Sequence, residues 1–464
     1  MISLRFLGAS RNVTGSRHLL SHGEEKVLVD CGIYQEHNLL YRNWDPFPVR
    51  PAEISSVFLT HAHLDHSGFL PCLVKQGFRG KIFATKPTIE VTKIALLDAA
   101  HIYEEDIEKK RIRHAQENRI VGHPDIPLYT VDDAYRVFDM FEEVPYSEPV
   151  TLNKHFSVTY HNAGHIIGSA MIEFKDVASG ENIVFSGDLG RPNKPLLADP
   201  ERFEKIDWLV LESTYGDRNH PGDEEIETVF SQVINDTKQN GGNIVIPSFA
   251  IERTQEVLYC LRKLLDKNQI PHLLVFLDSP MAIRVTEIFR QYPSFLREGM
   301  AELLKNSSPF DFPLLKITRT PDESKGINHL RGTVIIIAGS GMCNGGRIKH
   351  HLTKNIERGE STILFVGYQA NGTLGREIVD GAREVRILGR MYHVNAHIEQ
   401  IQGFSSHADQ SEIINWLSSL SKTPERIFLV HGEDNALNVL SEKIRETFKF
   451  PVEIGEYNKE TVLN

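Results

Sequence analysis

The chain has 464 residues, with 51 basic and 62 acidic side chains and a net charge of −11, a length that predicts two or three domains around a sizeable core. The acidic balance argues against a whole surface built for non-specific nucleic-acid binding, while leaving room for a local basic groove. Composition is that of an ordinary globular protein, 41% hydrophobic and 24% charged, and no apolar run approaches the ~20 residues needed to cross a bilayer.

In chain order, Met1 to Gly8 alternates like a strand and lacks a signal-peptide profile. Lys26-Val27-Leu28-Val29-Asp30 reads as a strand ending in a carboxylate, followed by Cys31-Gly32. Ile54 to Thr60 reads as a buried strand, and it runs straight into His61-Ala62-His63-Leu64-Asp65-His66, with a helix-like Phe69 to Val74 beyond. Three histidines and one aspartate on one strand-to-helix turn are metal-ligand types. Neutral imidazole suits zinc, and a carboxylate compensates its charge. From Pro87 to Asn118 the pattern is helical, and Asp98 to Asn118 is heavily charged, as a solvated helical insertion would be. Phe156 to Tyr160 leads to His161 and His165, Asn182 to Phe185 to Asp188, and Trp208 to Leu211 to Glu212. Five successive apolar strands thus end in Asp, His, His, Asp or Glu, and α/β sheets gather ligands where strands end.

After about residue 215 the pattern changes to helix–strand alternation. Helices are expected over Asp223 to Gln239 and Arg253 to Leu265. Strands are expected over Asn243 to Pro247, Leu273 to Asp278, Thr333 to Ala338 and Thr362 to Val366. Continuous β-branched runs imply a parallel sheet covered on both faces, a Rossmann-like unit without a GxGxxG opening a helix. The turns around Gly341, Gly345 and Thr373, together with Arg347, Lys349 and Arg376, offer backbone amides and cations suited to phosphate; a tight turn without a ligand explains the glycines equally simply, and a surface arginine is more often just solvated. Near the end, His407 precedes an amphipathic helix, and Arg426 to Val430 is a strand running into His431. The simplest organisation is one domain interrupted by another and completed by the C-terminal segment. Cys31, Cys72, Cys260 and Cys343 are far apart, without a CxxC, and read as core thiols of a cytoplasmic protein.

His61-x-His63-x-Asp65-His66, with Asp30 before it and His165 and Asp188 after it, resembles the metallo-β-lactamase superfamily. Glu212-Ser213-Thr214-Tyr215-Gly216, Phe404 to Asp409 and Val430-His431-Gly432 resemble motifs A, B and C of its β-CASP nuclease branch. The likeness spans nearly the whole chain and is nearest to free-standing prokaryotic ribonucleases similar to the nuclease subunit of the cleavage and polyadenylation specificity factor. The resemblance implies an αββα sandwich over residues 1–208 and 395–464, with an inserted β-CASP domain at 209–394. It implies His61, His63 and His165 on one zinc, Asp65, His66 and His431 on a second, Asp188 between them, and Asp30 orienting the histidine cluster from behind. Manganese is a substitute on the same ligand types.

The implied activity is hydrolysis of single-stranded RNA by a hydroxide held between two zinc ions in a cleft between the domains. His407 would serve as general acid and Glu212 would hold its tautomer, with internal cutting and attack from the 5′ end both open. Homodimers are frequent in the family, but no segment here identifies one. Two rival readings stay open on sequence: another hydrolase on the same ligands (a DNA nuclease, thioesterase or lactamase) and a non-catalytic RNA-processing subunit.

Overall fold

The layout follows from which strands run parallel. A computed structural model describes residues 2–117, 126–152, 154–370 and 372–463. Two seven-stranded sheets form the first part. One runs in the order Glu460–Leu463, Ile2–Phe6, His18–His22, Glu25–Val29, Ile54–Phe58, Lys81–Ala84, Phe141–Glu143. The other runs Val452–Ile454, Arg426–Val430, Trp208–Glu212, Asn182–Phe185, Ala170–Asp176, Phe156–Asn162, Val150–Thr151. Alternating apolar residues on the inner faces interlock: Phe6, Val27, Val29 and Phe58 of one sheet share a core with Phe156, Phe174, Phe185, Val210 and Phe428 of the other. Each outer face carries helices. Leu70–Lys75 and the first half of Lys86–Glu117 cover the first sheet, and Gln410–Leu417 and Asp434–Phe448 cover the second. The layers are therefore αββα.

Helix Lys86–Glu117 buries Val91, Leu96 and Ala100. From His101 onward its described side chains are exposed or half-buried, as the charge pattern predicts. Asn118, the expected end of that stretch, lies outside the described residues, as do His123 and Asn371.

A third sheet has six strands, all parallel, in the order Leu315–Ile317, Leu274–Asp278, Val334–Ala338, Ile244–Pro247, Thr362–Phe365, His397–Gln400. Its three central strands are buried at every residue, as a sheet covered on both faces requires. The chain divides into two compact units. The first is Met1–Lys194, Ala198–Asn219 and His407–Asn464; the second is Pro195–Leu197 and His220–Ser406. Strand Trp208–Glu212 pairs within the first unit and His397–Gln400 within the second. All four cysteines are buried and unbridged, and no described helix is long and apolar enough to cross a membrane.

Candidate metal centre

Parallel pairing brings the strand ends of the first unit to one edge. Glu25–Val29 and Ile54–Phe58 pair in parallel, in register from Val27 with Ser56 to Val29 with Phe58, which sets Asp30 beside Thr60. In the other sheet Glu212 lies opposite Val430, one residue before His431. Asn182–Phe185 is parallel to Trp208–Glu212, and Phe156–Asn162 runs the same way through two antiparallel pairings. Asp30 and His431 both sit at positive φ (60° and 52°), where a non-glycine residue is strained. Such positions persist where surrounding contacts over-determine them and concentrate at functional sites.

Seven side chains meet there in two groups that share Asp188. In the first, His61 Nε2 lies 3.1 Å from His63 Nδ1, and His165 Nε2 lies 3.3 Å from the same atom. Asp188 Oδ2 is 3.3 Å from His61 Nε2 and 3.4 Å from His165 Nε2. In the second, His66 Nε2 and His431 Nε2 are 3.2 Å apart, and Asp65 Oδ2 is 3.5 Å from His431 Nε2 and 4.0 Å from His66 Nε2. Asp188 Oδ1 lies 3.1 Å from His66 Nε2 and 3.5 Å from His431 Nε2.

The donor set fits a metal. A tetrahedral ion at the ~2.0–2.1 Å typical of zinc and imidazole needs ligand atoms ~3.3–3.4 Å apart, and the first group matches that spacing. Asp188 Oδ1, though buried, makes no hydrogen bond within the protein. Burial pushes His61 down to about 3, His63 to about 4 and His165 well below its ordinary value, so these rings are neutral, the form that ligates metal. Burial also disfavours charge on His66 and His431, but there Asp188, with Asp30 and Asp65 respectively, outweighs it and raises both. Burial would raise Asp65 and Asp188, yet His431 and His66 hold both below the usual carboxylate range.

Hydrogen bonds behind the rings select the tautomers. His66 Nδ1–H donates to Asp30 Oδ2 (2.7 Å). The Thr60 hydroxyl donates to the same oxygen (2.8 Å) and so accepts from His61 Nδ1–H (3.0 Å). The Thr214 hydroxyl donates to the His431 carbonyl (3.3 Å) and accepts from His431 Nδ1–H (3.0 Å). In the neutral, metal-binding form of each ring the other nitrogen, Nε2, is then a lone pair facing the cluster. Thr60 and Thr214 were missed in the sequence reading. Their only signal is adjacency, one just before His61 and the other two residues after Glu212.

Beside this centre Glu212, fully buried, accepts from Leu189 N (2.8 Å) and Thr214 N (3.1 Å) and faces His407 Nδ1 at 3.0 Å. Ala408 N donates to Leu189 O (2.7 Å), which ties the His407 segment to Asp188. Burial works against a charged His407, but Glu212 and Asp188 more than offset it, and its pKa rises to about 9.

Comparison with known proteins agrees with this geometry. Residues 19–197 match a metallo-β-lactamase superfamily domain, 254–378 a Beta-Casp domain, and 391–454 a Zn-dependent metallo-hydrolase RNA specificity domain. The chain is 37% identical over 436 residues to Ribonuclease TTHA0252 of Thermus thermophilus, covering 93% of this chain and 94% of that one. The chain belongs to the β-CASP branch of the metallo-β-lactamase superfamily. This β-CASP protein is accordingly a metal-dependent hydrolase of the nuclease type. It is also 31% identical to Transcription termination factor FttA of Methanosarcina mazei, over 96% of this chain and 69% of that one. A solved structure of a protein of unknown function from Enterococcus faecalis V583 matches it with a TM-score of 0.56 at 12% identity, over 100% of both chains, a likeness of fold alone.

The phosphate candidates of this β-CASP chain lie in the second unit, where the side chains have internal partners. Arg347 donates to Asp278 (2.5 Å) and to the carbonyls of Thr318 and Arg319 (3.0 and 2.8 Å). Arg376 pairs with Asp380 on its own helix. Thr373 caps that helix, accepting from Arg376 N (3.2 Å) and donating to Ala370 O (2.8 Å). Gly341 packs against the Phe249 ring, and Gly345 faces open space. His161 is also outside the cluster and bridges Glu173 and Glu201.

Proposed function

We propose that this protein is a zinc-dependent ribonuclease that hydrolyses single-stranded RNA at a two-metal centre. The observation that carries this reading is Asp188, whose two oxygens face two separate imidazole groups at 3.1–3.5 Å. His61, His63 and His165 would hold one ion and Asp65, His66 and His431 the other, with Asp188 shared. Bound there, the metals supply a water of lowered pKa and positive charge against the phosphodiester. Water's oxygen bonds to phosphorus, the phosphorus–oxygen ester bond breaks, and the leaving oxygen needs a proton. His407 holds that proton. Its Nδ1 faces Glu212, which leaves Nε2 as the transferring atom, and Glu212 keeps the ring charged and oriented. Asp30, Thr60 and Thr214 fix the ligand rings.

The domain reading is one hydrolase domain, expected over residues 1–208 and 395–464, interrupted by a cassette expected at 209–394; the two compact units support the interruption, with strand Trp208–Glu212 paired in the hydrolase part and His397–Gln400 in the cassette. RNA is favoured as substrate by the matched RNA specificity domain and by a ribonuclease relative covered over 94% of its length, against 69% of the termination factor. The test is cleavage of 5′-labelled and 3′-labelled single-stranded RNA, with matched DNA, by wild type and Asp65→Ala. Metal-dependent cutting of RNA, lost in the variant, supports the reading, and the ladder separates internal from end-directed attack. Bound metal with no cleavage of either polymer would instead indicate a different hydrolase.

A further inference from the structure

One surface of the first unit holds large rings out in water. The 3-10 turn Leu40–Asn43 repeats every three residues, so Tyr41 and Trp44 fall on one face, and they are 57% and 56% exposed. Asn43 faces inward, accepting from Tyr34 N (2.9 Å) and donating to Tyr34 O (2.8 Å), and this clamps the turn with its aromatic face outward. The Arg42 guanidinium lies 4.2 Å from the Tyr457 ring centre and 5.5 Å from that of Tyr34, and its Nε donates to Tyr41 Oη at 3.4 Å. Tyr457 is itself 41% exposed.

This surface is tied to the metal centre through one loop. Tyr34 Oη donates to Leu7 O (2.9 Å), Gln35 N donates to Thr14 Oγ1 (2.9 Å), and between those anchors Ala9 O accepts from His431 N (2.8 Å). One loop, Leu7 to Thr14, therefore joins the aromatic turn to a ligand-bearing strand end.

We propose that Tyr41, Trp44 and Tyr457, with Arg42 among them, form a stacking platform for bases of the single-stranded RNA whose phosphodiester lies at the metal centre. The proposal rests on the ribonuclease reading above. Every base has a π face, so exposed rings bind single strands with little sequence preference, and a planar guanidinium stacks on bases while attracting phosphate. Tyr, Trp and Arg suit a protein interface as well, and what favours the RNA is the tie of this turn to the loop that holds His431.

Trp44 makes the test direct, because Trp208 and Trp416 are buried. Metal-loaded full-length protein is titrated with single-stranded oligoadenylate and followed by tryptophan fluorescence, and RNA cleavage is measured beside hydrolysis of bis-p-nitrophenyl phosphate, a diester too small to span centre and platform. The expected result is quenching, together with a rise in KM for RNA of about ten-fold or more in Tyr41→Ala/Trp44→Ala at nearly unchanged kcat. Trp44→Phe should restore most of the affinity, and the small diester should be hydrolysed at the wild-type rate. Normal RNA cleavage by the double variant with no quenching overturns the platform and leaves the ribonuclease reading standing. Loss of a dimer in the double variant, with RNA kinetics unchanged, overturns it in favour of a protein interface. Failure of wild type to cut any RNA, with the small diester still hydrolysed, counts against the parent reading and the platform together.

Discussion

Asp188 in the first unit and Asp278 in the second are both buried aspartates beside histidines at a strand-end edge, and they end in opposite states. Asp278 accepts from Ser324 Oγ (2.5 Å), Arg347 Nη1 (2.5 Å) and His351 Nε2 (2.6 Å), so proton donors occupy both oxygens. Although burial alone would raise it, these donors hold its carboxyl below the ordinary range. Asp188 is faced by imidazole nitrogens whose neutral tautomers, where Asp30, Thr60 and Thr214 fix them, present lone pairs once those rings give up their second proton to a metal. Its Oδ1 makes no hydrogen bond. Residue type and burial do not separate a structural network from a metal site. The supply of protons does, because lone pairs pointed at one another need a cation between them.

Substitutions at the two aspartates should therefore fail in different ways. Asp188→Ala should lower RNA cleavage by about a thousand-fold or more, since it removes a shared ligand from both groups, with metal content falling in parallel and the folded state retained by circular dichroism. Asp278→Ala should do the reverse. It leaves Arg347 and His351 without their carboxylate and should cost about 3–5 kcal/mol in urea unfolding, while metal content stays at the wild-type level. His407→Ala should keep its metal and lose about a hundred- to ten-thousand-fold in kcat, the usual range for a removed proton donor.

Thr60→Val should weaken metal binding about ten-fold, read by competition with a chelator, because His61 loses the acceptor that fixes its tautomer. The smallest effect concerns His161, outside the centre. Burial disfavours its charged form, but Glu173 and Glu201 outweigh that and raise it from 6.5 to about 9. A pKa raised on folding stabilises fully below the unfolded value, and that stability is lost as pH rises from about 6.5 through about 9. With Glu201 partly solvent-screened, the contribution is about 1–2 kcal/mol, and His161→Gln should flatten the stability profile over that window alone.

The sequence carried the strand ends because their signal is local: an apolar run followed by a ligand-type residue, repeated from Asp30 to His431. Parallel pairing then does the gathering, and pairing partners such as Glu212 and Val430 are more than two hundred residues apart, beyond any window of local pattern. What stayed hidden was the partner of each polar group. Thr60 and Thr214 look like ordinary turn residues until a ring nitrogen is placed against them. Arg347 suggested phosphate on local grounds, since Asp278, which binds it, is distant in sequence. The outward rings of Tyr41 and Trp44 carried no periodic signal, because one 3-10 turn is too short to show one. The ends of the inserted unit, expected at 209 and 394, were less legible, since Trp208–Glu212 and His397–Gln400 are both good strands and only pairing assigns each to its sheet.

The most direct test of the central claim is metal stoichiometry of the purified full-length protein beside Asp188→Ala and His63→Ala. Two ions per chain in wild type, few or none in Asp188→Ala, and selective loss at the first group in His63→Ala are the predicted results. A metal-free wild type, or an Asp188→Ala variant that keeps both ions, would contradict the account of Asp188 as the residue shared by two metal sites.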